Sequence, residues 1–173
     1  MPSDNGVTFR FDGADFEREL KQGIAAGLDA AADTLVAKIK GGFRKNRDDP
    51  VDPPGGLPRV VTGSLFRGIG WGAGKDASSR AVGIEQGSPA MKYASVHEFG
   101  AVITPKSKPF LMFIVNGKRR GDPAAQWRRS KRVVIPARPF MRPARDKHQK
   151  AVSDAFVAGL NARMSRSSPG GDR

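Results

Sequence analysis

Apolar residues fall at every fourth position from Phe16 through Leu20, Ile24 and Leu28, and the series resumes at Leu35 and Ile39. That spacing keeps one stripe on one face and predicts a long amphipathic helix over about residues 14–40. Ala25, Ala31 and Ala32 widen the stripe, Asp12-Gly13 offers an N-cap, and Gly41-Gly42 stops the helix. Asp15, Glu17 and Glu19 near its start and Lys38 and Lys40 near its end suit the helix dipole. A second series, His148, Val152, Phe156, Leu160 and Met164, again steps by four and predicts a helix over about 143–164. Pro143 is suited to its first position.

Between the helices the period shortens. Val7 to Phe11 alternates apolar and polar and reads as a short strand ahead of the first helix. Residues 44–60, rich in Pro and Gly, read as an exposed loop. Phe66 to Trp71 reads as a strand weakened by Gly68 and Gly70, Gly72 to Ser79 as a polar hairpin tip, and Arg80 to Glu85 as the return strand. Tyr93 to Phe99 is short enough to be either strand or helix. Phe110 to Val115 is an apolar strand, and Val133-Val134-Ile135 is its natural antiparallel partner across the polar stretch 116–132. Helix, strands, helix, with no βαβ alternation, gives an α+β class. The expectation is one antiparallel sheet of four to six strands, both helices packed on one face, and a free sheet edge open to a neighbouring subunit. The domain is expected to span residues 1–164, with a 101–135 hairpin carrying the basic connection and a disordered polar tail at 165–173.

Charge changes this picture more than composition does. The chain has 30 Lys and Arg against 17 Asp and Glu, a net +13. Residues 1–63 hold 9 basic and 10 acidic groups, and residues 64–173 hold 21 and 7. The basic surplus therefore sits entirely in the second part and predicts an acidic partner for it. Its densest run is Lys118, Arg119, Arg120, Arg128, Arg129, Lys131 and Arg132, with Trp127 among them and Asp122 as the one acid. Three readings fit such a run. It can contact phosphate with stacking, form a solvated hairpin tip, or act as an arm that orders on docking to an acidic protein. No apolar run approaches the ~18 residues of a membrane helix, and Met1 to Phe11 holds no apolar signal core.

Catalytic patterns are missing. The chain has no cysteine, which excludes disulfides, thiolate chemistry and cysteine zinc sites. His97-Glu98 lacks the second histidine of a zinc-protease helix, and Gly63-Ser64-Leu65 lacks the nucleophile elbow. The Gly68, Gly70, Gly72 and Gly74 series has no Lys-Ser/Thr ending and no βαβ setting. Glu85 and Glu98 are a glycosidase pair in residue type alone. The expectation is a protein without cofactor, metal or catalytic residue.

Three stretches share a pattern with a known family. Thr62-Gly63-Ser64-Leu65-Phe66-Arg67-Gly68-Ile69 resembles a Thr-Gly-x-Leu-x-x-Ser-Ile signature. Tyr93 to Gly100 resembles Tyr-Ala-x-x-x-Glu-Phe-Gly, and Pro136 to Ala144 resembles Pro-Ala-Arg-Pro-Phe-Leu-x-Pro-Ala. In this order, after a long helix and before a terminal one, they are similar to tail-completion and head–tail joining proteins of tailed bacteriophages. The last two stretches are shared with virion-morphogenesis proteins of Mu-like phages. The resemblance covers roughly residues 7–164 and departs at Gly68, where the signature has Ser, and at Met141, where Leu is usual. It implies a virion structural protein at the neck, made in the bacterial host cytoplasm. There it would form a ring, commonly of six copies, that contacts neighbouring neck and tail proteins and the DNA in its channel. Within the motifs Thr62, Gly63, Leu65, Tyr93, Glu98, Phe99, Gly100, Arg138, Pro139, Phe140 and Pro143 are expected to be structural. Gly63 and Gly100 would permit tight turns, and Leu65, Phe99 and Phe140 would anchor the core. Glu98 would pair with Arg138 to clamp the chain entering the last helix.

Overall fold

The computed structural model describes residues 12–43, 56–58, 63–116 and 126–167. The expected strand at 7–11, almost all of the 44–60 loop, Thr62, and Lys118, Arg119 and Arg120 lie outside them. Helix α1 spans Gly13–Gly41 and helix α2 Ser64–Gly68. Strands β1 (Ile69–Ala73) and β2 (Arg80–Ile84) come next, then helix α3 (Met91–Phe99) and strand β3 (Ala101–Ile103). Strands β4 (Leu111–Asn116), β5 (Gln126–Ser130) and β6 (Val133–Ile135) precede helices α4 (Met141–Lys147) and α5 (Gln149–Ser167).

The α+β class stands, but the single sheet does not. The strands form three separate two-stranded sheets, β1-β2, β3-β6 and β4-β5. The expected pairing of Phe110–Val115 with Val133–Ile135 is also replaced. Val133, Val134 and Ile135 lie opposite Ile103, Val102 and Ala101, while Leu111 to Ile114 lie opposite Ser130 to Trp127. The physical reason is local. The β4-β5 hairpin closes a shorter loop than a β4-β6 pair would, at lower entropic cost. Strands of three to six residues, with arginines on β5 and glycines in β1, also make poor templates for a larger sheet. Residues 66–68, expected to begin a strand, instead close α2, and Tyr93–Phe99 is helical.

The chain divides into two compact units. The first comprises the described parts of Met1–Ala37, Trp71–Val82 and His148–Arg173. Its centre is α1 against α5, so the two helices pack on each other. Asp12 caps α1 by accepting the backbone N–H of Ala14 (3.0 Å) and Asp15 (3.1 Å). The backbones come close because glycines stand at the crossing. A methyl on Gly27 would lie 2.7 Å from the Phe156 carbonyl oxygen, and one on Gly159 2.8 Å from that of Ala26. Phe156, Leu160 and Met164 of the expected stripe lie over Gly27 and Gly23. The β1-β2 tip is latched to α1, with Trp71 Nε1 donating to Asp33 and Arg80 Nε to Asp29, both at 2.6 Å. Helix α5 runs on to Ser167, past the residue 165 where a tail was expected.

The second unit comprises the described parts of Lys38–Gly70 and Gly83–Lys147. Ile39, Phe43, Leu65, Ile69, Ala90, Ala94 and Phe140 form its buried apolar centre. Phe43 meets Phe66 and Phe140 edge-on at ring distances of 6.0 and 5.4 Å.

Candidate functional site

The second and third family-like stretches meet at Glu98. Helix α3 buries this carboxylate, which is 5% exposed, one residue before its C-terminus. It accepts the backbone N–H groups of Phe140 (2.8 Å), Met141 (3.1 Å) and Arg142 (3.1 Å). Those are the leading donors of α4, which have no intrahelical partner, so Glu98 caps α4 from another element. Arg142 adds Nε to the carboxylate at 3.1 Å and a guanidinium contact to the Glu98 carbonyl at 3.3 Å. Burial alone would raise the Glu98 carboxyl; the three backbone donors and Arg142 outweigh it and hold the group below its usual value.

The expected Glu98–Arg138 pair is therefore corrected: the clamp exists, but the cation is Arg142. Arg138 contributes its backbone N–H, which donates to the His97 carbonyl at 2.6 Å. One helical turn starting at Met141 turns the Arg142 side chain back over α3, whereas Arg138 still lies in the extended entry. Phe99 is also corrected. It is 66% exposed and not a core anchor; the Arg142 guanidinium lies over its ring at 4.9 Å. The helix turns Ala94 and Glu98 inward, and Phe99, one residue on, faces outward.

The remaining motif residues behave as backbone and packing elements. Gly63 precedes α2 at φ 76°, and Gly100 follows α3 at φ 74°. A methyl on Gly100 would also lie 2.9 Å from the Ile135 carbonyl oxygen and the Ala137 nitrogen, so no other residue fits. Leu65 and Phe140 are buried, and Pro139 is half-buried. Pro143 is the third residue of α4, still in the turn where a missing N–H costs nothing. Tyr93 packs edge-on to His97 at 5.8 Å. Among the described residues the buried His97 Nδ1 has no hydrogen-bond partner, and burial, with Arg138 adding to it, pulls the imidazole below its ordinary pKa.

Of the basic run, Arg128 and Arg129 lie on β5 and Lys131 and Arg132 just beyond it, all four exposed beside an exposed Trp127. The sequence reading placed these residues in a loop and missed the strand. An open groove of about 310 Å³ is lined by Ser64, Arg67, Glu85 and Ser88 among others. Among the described residues no three His, Asp or Glu side chains gather as metal ligands. No helix among them is long and apolar enough to cross a membrane. Comparison with protein-family models, curated proteins and solved structures finds no match.

Proposed function

We propose that this chain is a structural virion protein of the phage neck that completes the tail and joins it to the DNA-filled head, as one subunit of a ring of six around the DNA channel. One observation carries the reading: three family-like stretches occur in order, and two of them, 93–100 and 136–144, are joined in the fold by the Glu98 cap. Their residues serve turns, caps and packing, the structural roles that the resemblance implies. The basic surplus beyond residue 63 supports contact with neighbouring neck and tail proteins and non-specific contact with channel DNA. Deleting the gene in the phage that carries it is expected to leave DNA-filled heads and finished tails unattached in negative-stain images. Intact infectious particles would overturn the proposal.

The exposed cluster of Trp127, Arg128, Arg129, Lys131 and Arg132 favours one other reading, a nucleic-acid-binding protein acting off the virion. That reading expects tight binding of duplex DNA by the isolated chain, with log K falling by roughly 0.9 per neutralised phosphate for each log unit of salt. Weak binding with a shallow salt slope would exclude it.

A further inference from the structure

The β4-β5 hairpin is two strands deep, and among the described residues β4 pairs with β5 alone. Among the described residues its other edge is therefore an open row of backbone donors and acceptors. Two strands are marginal alone, and a third is what normally stabilises such a unit. The two edges differ in charge. Strand β4 reads Leu-Met-Phe-Ile-Val-Asn, six residues with no charge, Gly or Pro, and Met112 is 59% exposed on it. Strand β5 carries Arg128 and Arg129, both exposed. Pairing β5 with its own copy would bring four arginines together, whereas pairing β4 with its own copy opposes nothing charged. The two strands, with Trp, Phe, Met and Arg and no Lys, Asp or Glu, have the composition of a protein–protein interface core. Phosphate binding would need no long uncharged edge.

We infer that the outer edge of β4 pairs antiparallel with β4 of a second copy of this chain, forming a four-stranded sheet in the order β5-β4-β4-β5. The contact is isologous, so it joins two copies and stops. It is independent of the neck reading, since a ring closes through head-to-tail contacts and could use this one only to join two rings. Sedimentation equilibrium of the full chain is expected to show a monomer–dimer equilibrium. Met112→Lys, at an exposed side chain, is expected to give monomers with an unchanged circular dichroism spectrum. Because the chain has no cysteine, single-cysteine variants at Met112, Phe113 and Ile114 report the contact directly. At least one should oxidise to a covalent dimer, and the exposed Lys147→Cys on α4 should not. A wild-type chain that stays monomeric at its highest soluble concentration would overturn the inference. So would a Met112→Lys variant that still dimerises, or equal cross-linking at position 147. None of these results bears on the gene-deletion outcome.

Discussion

Glu98 shows how far a single residue was readable. The Glu-Phe-Gly stretch marked it as a clamp for the chain entering the last helix, and it caps α4, the helix before the last. The identity of the cation was not readable, because Arg138 and Arg142 lie four residues apart and only the start of α4 at Met141 decides which side chain turns back. Phe99 failed for a similar reason, since a strand and a helix put neighbouring residues on different faces and the stretch was too short to tell them apart. Glu98→Ala leaves three helix donors unpaired and removes the carboxylate from Arg142, and is expected to cost about 3 kcal/mol in urea unfolding. Acidification should lower stability in two stages. His97 has a folded pKa below its unfolded value of about 6.5, so its contribution is complete above that pH and is lost as pH falls towards the folded value. Glu98 follows below its unfolded value of about 4.3 and loses its contribution as pH falls through the depressed folded value. Unfolding free energies across this range should show His97→Phe removing the upper stage and Glu98→Gln the lower.

At the scale of elements, four-residue spacing revealed α1 and most of α5, although the single helix expected over about 143–164 is broken at His148 into α4 and α5. The packing of α1 on α5 was not legible, because Gly23, Gly27 and Gly159 carry no apolar signal, yet they set the approach of the two helices. Gly27→Ala drives a methyl into the Phe156 carbonyl and ring and is expected to cost about 1–3 kcal/mol. Gly41→Ala, at the end of α1 with nothing within 4 Å, is expected to stabilise by about 0.4–1 kcal/mol. Thermal unfolding of the two variants separates these effects. Strand positions were largely readable and strand partners were not. Alternation fixes faces, but pairing depends on which loop closes at least cost, and the paired arginines of β5 hid a strand inside a basic run.

For the whole molecule, the charge split between residues 1–63 and 64–173 was plain in the sequence, and it shapes every expectation about partners. Exposed Arg128, Arg129, Lys131 and Arg132 make no described contribution to the buried centre. Replacing all four by Gln should leave the circular dichroism spectrum and melting temperature unchanged and impair head–tail joining in a complementation assay; unfolding would remove them from any partner surface. The division into two units was not legible, because both are assembled from segments distant along the chain. That division has an optical consequence. The protein holds two tryptophans, one in each unit. Trp71 is held by Asp33 with Arg80 over its ring, and Trp127 is 49% exposed on β5. Each single Trp→Phe variant therefore leaves one fluorophore reporting on one unit. Acrylamide is expected to quench the Trp127 emission more strongly than that of Trp71, and two unfolding curves read from one chain would reveal whether the units melt together.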